Sequence, residues 1–236
     1  MKNILVTGCS RGIGFEIVKN FAHKDNFNVL AISRDQEGLK KLEIESNKIN
    51  KSFGLYTLAL DLTDSDAILK IVQYINSKFK KSLDGIIHNA GMLINKPFSE
   101  ITKQELEDTF SVNVFSPFIL TQKLIPLLNQ QSHILTISSM GGIQGSQKFK
   151  GLSAYSSSKG AIITLTECLA EEFKTENLIF NSLALGAVQT EMLSKAFPGY
   201  QAPLKSSDMA RFIVKFFIDG GQYFNGRIIP VSLTTP

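Results

Sequence analysis

Short apolar runs alternate with longer amphipathic stretches along almost the whole chain, and no other feature restricts the fold as much. The runs at 4–6, 29–32, 55–60, 85–87, 134–137, 179–185 and 228–231 are rich in Val, Ile and Leu and lack strict polar alternation. Strands covered on both faces read this way, because neither face meets water. The stretches at 13–24, 36–49, 64–79, 102–129, 152–176 and 206–219 are expected helices. Thr102-Lys103-Gln104-Glu105 has the form of a capping box, and Thr63 with Asp66 is a weaker version. Repeated strand–helix–strand units imply an α/β fold, a doubly wound parallel sheet of about seven strands with helices on both faces. No Pro- or Gly-rich linker, repeat or shift in composition marks a boundary, so one domain over 1–236 is expected.

Composition removes whole classes of function. Hydrophobic residues make up 43% and charged residues 19%, which excludes a disordered chain. The formal charge of +4 is too small to imply nucleic acid, and Lys and Arg form no basic stripe. The densest cluster, Lys78, Lys80 and Lys81, suits a solvated helix end. Cys9 and Cys168 give no disulfide framework, which fits a reducing compartment. The first residues are too poor in apolar side chains for a signal peptide, and no run approaches the roughly 20 apolar residues of a membrane helix. A cytoplasmic protein is expected, with no membrane, nucleic-acid or metal partner.

The first strand runs into Thr7-Gly8-Cys9-Ser10-Arg11-Gly12-Ile13-Gly14, and a helical pattern follows. Glycines at 8, 12 and 14 allow a tight turn and a close approach of backbone to ligand, and the helix N-terminus offers free N–H groups to a pyrophosphate. The spacing is Gly-x-x-x-Gly-x-Gly, not the commoner Gly-x-Gly-x-x-Gly. No Gly-Lys-Ser/Thr follows, which argues against a P-loop. At the end of the second strand a carboxylate would suit an adenosine 2′-hydroxyl and a cation a 2′-phosphate. Ser33 stands there with Arg34 next and Asp35 one residue beyond, and Arg11 adds a second cation. Guanidinium matches phosphate in bidentate geometry, so NADP(H) is expected in preference to NAD(H).

Tyr155-Ser156-Ser157-Ser158-Lys159 opens a predicted helix, and a separation of four puts Tyr155 and Lys159 on one face. A nearby ammonium, with the positive nicotinamide of an oxidised cofactor, is expected to lower the phenol pKa from its usual value of about 10. Ser138 and Ser139 close the fifth strand and His88-Asn89-Ala90-Gly91 the fourth. Both lie at the carboxyl edge of the sheet, where doubly wound folds bind ligands. Asn113 sits between Val112 and Val114, an apolar setting in which an amide needs a partner.

Taken together these residues resemble the short-chain dehydrogenases/reductases over essentially the whole chain. The resemblance rests on Thr7-Gly8-x-x-x-Gly12-x-Gly14, Asp61-Leu62, Asn89-Ala90-Gly91, Asn113, Ser139, Tyr155-x-x-x-Lys159, and Gly186 with Thr190. It implies a single Rossmann-type dinucleotide-binding domain and hydride transfer to a ketone or aldehyde. By that resemblance Tyr155 is the general acid/base, and Lys159 binds the nicotinamide ribose and lowers the tyrosine pKa. Ser139 holds the substrate carbonyl, with Ser138 as fallback, and Asn113 positions a proton-relay water. The resemblance assigns cofactor contacts to Gly8, Ser10, Arg11, Gly12, Ile13, Gly14, Ser33, Arg34, Asp61, Leu62, Asn89, Ala90, Gly91, Tyr155, Lys159, Gly186, Val188 and Thr190.

The chain also departs from the family pattern. His88 replaces an asparagine and reads as a packed strand residue, Cys9 replaces an alanine, and Leu185 precedes Gly186 where proline is usual. The end, from Asn225 to Pro236, lacks the family's acidic, glycine-rich finish. Substrate identity is expected in 140–152 and 187–205, where Met192, Leu193, Phe197 and Tyr200 either form an apolar lid or pack on the core. Some of Phe110, Phe115, Phe118, Leu165, Leu169 and Phe173 exceed what covering one sheet face needs; they either pack within the monomer or, as the resemblance implies, pair helices in a homodimer or homotetramer. Other readings are a 3-oxoacyl-thioester reductase served by an acidic carrier protein and a non-catalytic NADP(H) sensor. An NAD-dependent alcohol oxidiser would require an acid at Ser33.

Overall fold

The computed structural model describes residues 1–233; Thr234, Thr235 and Pro236, which end the predicted domain and the atypical finish, lie outside the described residues. In chain order the strands are β1 (Lys2–Thr7), β2 (Phe27–Ser33), β3 (Gly54–Ala59), β4 (Leu83–His88), β5 (Leu128–Ser139), β6 (Ile179–Leu185), β7 (Val188–Gln189), β8 (Leu204–Lys205) and β9 (Arg227–Val231). The helices are α1 (Gly12–Phe21), α2 (Gln36–Ile49), α3 (Ser65–Lys78), α4 (Lys103–Phe110), α5 (Ser116–Leu124), α6 (Ser153–Glu172), α7 (Glu191–Ala196) and α8 (Ser206–Asp219). Seven strands form one parallel sheet in the order β3-β2-β1-β4-β5-β6-β9. The order reverses between β1 and β4, and the carboxyl ends of the strands line up along one edge there.

The pleat sends alternate residues to opposite cores. Ile4 and Val6 of β1 join Ile17, Phe21, Ile213 and Phe217 on one face. Leu5 joins Leu30, Ile71, Ile75, Leu120 and Leu124 on the other. Each fully buried Leu or Ile contributes roughly 1.5–3 kcal/mol, so this two-sided burial fixes the strand register. His133 closes the amino end of the sheet. Its Nδ1 donates to Phe217 O at 2.9 Å and its Nε2 accepts from Asn181 Nδ2 at 3.1 Å.

Most expected elements are present, and 36–49 and 206–219 match α2 and α8 at both ends. The expected continuous helix over 102–129 is not present. It divides into α4, a π-helical turn at Ser111–Phe115, α5 and a 3-10 turn at Ile125–Leu127, and β5 already begins at Leu128. Pro117 has no N–H, and its ring would crowd the carbonyl of Asn113 in a regular helix, so the turn before it widens; Pro126 then ends the helix. The capping box at Thr102 and Glu105 forms as expected. Thr63 is not a cap: α3 is capped by Asp64, whose carboxylate accepts from Asp66 N, while Thr63 bonds Asp61. The β7–β8 ribbon and α7 were not expected; their runs are too short to carry a period. Among the described residues no helix is long and apolar enough to cross a membrane.

Candidate active site

The glycine loop leaves β1 in a conformation that only glycine adopts without strain. Gly8 and Gly12 have φ of +73° and +60°. A Cβ on Gly8 would lie 2.8 Å from Ala90 Cα, and one on Gly14 would collide with the Gly8 carbonyl and Asn89 Nδ2. Asn89 braces the loop, donating from Nδ2 to Thr7 O at 3.0 Å and Gly8 O at 3.1 Å. Thr7 Oγ1 accepts in return from Asn89 N and Ala90 N, both at 3.1 Å. The N-terminus of α1 has no side-chain cap and no acid in its first turn, so its N–H groups face an anion site with nothing competing for them. Cys9 is buried, its thiol pKa pushed up by burial, and its Sγ donates to Val6 O. It packs in the core behind the loop.

Beside the loop, Ser33 Oγ donates to Ser10 Oγ at 2.9 Å. Arg34 Nη1 lies 3.4 Å from Asp61 Oδ2, and Arg11 Nε lies 3.5 Å from Glu191 Oε2. Asp35 is occupied elsewhere, capping α2 through Gly38 N at 3.0 Å. Burial works to raise the Asp61 pKa, but hydrogen bonds from Thr63 and the Arg34 charge outweigh it and hold the carboxyl below its usual value. Leu62 accepts from Ser116 Oγ through its carbonyl at 3.0 Å, tying this end of the cleft to the start of α5.

Ser139, Tyr155 and Lys159 come together where β5 ends and α6 begins. Ser139 Oγ accepts from Gly141 N at 3.2 Å and neighbours the Tyr155 hydroxyl. Ser138 points away and donates to Lys159 O at 2.8 Å, so Ser139 faces the tyrosine. Lys159 is buried, with Nζ donating to Ile137 O at 2.9 Å and lying 5.8 Å from the Tyr155 ring centroid. Burial lowers its pKa to about 8. In the protein by itself burial pushes the Tyr155 phenol up to about 12, and the neighbouring Ser139 only partly opposes it. The depression expected from Lys159 together with an oxidised nicotinamide is not seen in the protein by itself, where desolvation of the phenolate is the largest influence.

Asn113 is buried in the π-helical turn and fully engaged. Its Oδ1 accepts from Met92 N at 2.8 Å, and Nδ2 donates to Met92 O and Ser158 Oγ, both at 2.9 Å. His88 is a packed strand residue, bonded through Nε2 to Thr121 Oγ1 at 2.8 Å, and burial lowers its pKa to about 4. Gly91 lies beside Asn113 and Lys159. Gly186 donates to Val231 O at 2.9 Å, and Val188 is buried beside Leu204 in the short ribbon. Thr190 caps α7 through Leu193 N at 3.2 Å and stands opposite Gly12 across the cleft. Ile13 packs on the core behind the loop. Met92, Ser158 and Glu191 carry no signal in the sequence, because the contacts that bring them to the site, with Asn113 and Arg11, are remote along the chain.

The family model described as short chain dehydrogenase matches residues 2–201. The chain is 32% identical over 197 residues to a benzil reductase ((S)-benzoin forming) of Saccharomyces cerevisiae, covering 81% of this chain and 73% of that protein. It is 26% identical to a 3-oxoacyl-[acyl-carrier-protein] reductase of Thermotoga maritima, covering 98% and 96%. A Shigella flexneri short chain dehydrogenase solved with NADP is 30% identical, superposes with a TM-score of 0.88, and is covered over 97% of this chain and 96% of that one.

Proposed function

The chain belongs to the short-chain dehydrogenase family of oxidoreductases, and on that premise we propose that it reduces a ketone or aldehyde to an alcohol with NADPH, Tyr155 serving as the acid. The observation that carries this reading is the gathering of Ser139, Tyr155 and a buried Lys159 where β5 ends and α6 begins, at the sheet edge that also holds the glycine loop. A dinucleotide fits the residues present. Gly8, Gly12, Ile13 and Gly14 would cradle the pyrophosphate, with Ser10, Arg11, Ser33 and Arg34 around a 2′-phosphate. Asp61 with Leu62, and Asn89 to Gly91, would flank the adenine and ribose, and Gly186, Val188 and Thr190 the nicotinamide side. When bound, the cofactor supplies the hydride.

The protein's own residues supply the proton and the orientation. A phenol at about 12 keeps its proton at neutral pH, so Tyr155 stands ready to donate from Oη to a carbonyl oxygen. Ser139 accepts from Gly141 N, which leaves its own proton to stabilise the charge developing on that oxygen. Lys159, with a pKa of about 8, remains an ammonium at neutral pH and stabilises the tyrosinate left behind. Asn113 acts by holding Met92 and Ser158, which fixes the floor of the pocket and the first turn of α6. We propose further that the protein assembles as a homodimer or homotetramer through the exposed Leu106, Phe115, Phe118 and Ile119. Leu169 and Phe173 are not part of that surface, since they pack on the core. The test is NADPH oxidation over a panel of diketones, aromatic aldehydes and 3-oxoacyl thioesters, repeated with NADH. Turnover with at least one carbonyl, faster with NADPH, is expected; faster turnover with NADH would contradict the cofactor assignment.

A further inference from the structure

Three segments form one continuous rim around the mouth of the cleft. Asn95 Nδ2 donates to the carbonyl of Ala196, the last residue of α7, at 2.7 Å, and Lys96 N donates to Gly151 O at 3.0 Å. The 92–96 segment thereby joins the 140–152 loop to α7. Along this rim the cations are engaged. Both carboxylate oxygens of Glu105 hold Lys96 Nζ at 3.1 Å. Lys148 turns its ammonium onto its own loop, donating to Ile143 O at 2.6 Å, Ser146 Oγ at 2.7 Å and Ser146 O at 3.2 Å. Glu191 serves Lys195 at 2.6 Å and Arg11 at 3.5 Å. Lys150, at the loop tip, is the exposed exception.

The apolar groups of the same rim are the ones left open. Phe149, Met192 and Tyr200 are 47%, 39% and 48% exposed. Phe149 lies on the loop that joins Ser139 to the helix of Tyr155, Met192 two residues after Thr190, and Tyr200 just beyond α7. A single exposed apolar residue needs no explanation, but several around one polar reaction centre match the usual build of a small-molecule site.

We infer that the site takes an uncharged carbonyl compound with apolar flanks, an aryl ketone or 1,2-diketone, and not a thioester on an anionic carrier or a phosphorylated sugar. Among the described residues Lys150 is the one cation on this rim that an anionic substrate would find without a partner, and Lys96, Lys148 and Lys195 would have to exchange theirs, whereas an apolar flank removes Phe149, Met192 and Tyr200 from water together. The inference rests on the reductase reading above. Its test measures kcat/KM at saturating NADPH for 1-phenylpropane-1,2-dione, its para-carboxylate and acetoacetyl-coenzyme A, on wild type, Phe149→Ser and Tyr200→Ser. The neutral dione is expected to lead both anions by about tenfold or more, and each serine variant to raise its KM about tenfold with NADPH affinity unchanged. Equal or better turnover of either anionic carbonyl, or an unmoved KM in both variants, overturns the inference and leaves the reductase reading standing. No NADPH oxidation with any of the three compounds overturns that reading and the inference with it.

Discussion

At the glycine-loop end of the cleft the titratable groups are exposed and paired in reach of water, whereas at the catalytic end they are buried and held by a backbone carbonyl or a side-chain hydroxyl. Arg11 and Arg34 are 63% and 69% exposed, each about 3.5 Å from one carboxylate. Lys159 and His88 are 5% and 6% exposed, and each is bonded to a neighbouring strand or helix. Exposed pairs of that kind contribute little to stability and exchange partners readily, which suits groups that must release a carboxylate to take a phosphate. Buried groups cannot be left unpaired without a large penalty, so the catalytic end is rigid before any ligand arrives. The difference teaches that the first end should answer to salt and ligand, and the second to pH and truncation.

The largest effect expected is acid sensitivity. Burial lowers the pKa of His88 and His133 to about 4 from 6.5. Below about pH 6.5 the unfolded chain takes up protons on both imidazoles that the folded chain refuses until about pH 4. Stability is therefore lost as pH falls through that window, by about 3 kcal/mol per histidine. Urea midpoints at pH 7, 5.5 and 4.5 check this for His88 at the catalytic end and His133 at the opposite edge, and a midpoint that does not move breaks the account of both buried imidazoles. Next, Asn113→Ala leaves Met92 N–H and C=O without their side-chain partner, and should cost about 2–3 kcal/mol in thermal or urea unfolding. Arg34→Ala should change stability by less than about 0.5 kcal/mol. If the two substitutions cost the same, the contrast between the ends is wrong.

Arg34→Ala should instead weaken NADPH binding by roughly tenfold and leave NADH binding unchanged, with added salt mimicking the substitution. Titration by cofactor fluorescence reads both values. The smallest effect is at Glu191, which competes with a 2′-phosphate for Arg11. Glu191→Gln should tighten NADPH up to about fivefold and leave NADH alone. Equal shifts for both cofactors would place Glu191 outside the 2′-phosphate contest.

The sheet and its edge were legible in the sequence because burial on both faces writes itself as unbroken apolar runs, and because the motif residues all end at one side of those runs. The 102–129 stretch was not, since its apolar spacing continues smoothly across Pro117 and Pro126 while the backbone does not. Spacing alone points to Thr63 as a cap, yet Asp64, one residue on, has the shorter reach to the α3 N-terminus. In the site, Tyr155, Lys159, Ser139 and the glycines stand out locally. What holds them does not: Asn89 meets Thr7 across 82 positions, and Asn113 meets Ser158 across 45. The tyrosine pKa went the other way for the same reason, since spacing records the lysine but not the burial around the phenol.

The most direct test of the account is Tyr155→Phe, which removes one oxygen and leaves the ring packing in place. With 1-phenylpropane-1,2-dione and saturating NADPH, turnover should fall about a thousandfold while NADPH affinity stays within about threefold of wild type. Turnover that survives the substitution at near the wild-type rate would contradict the assignment of Tyr155 as the acid.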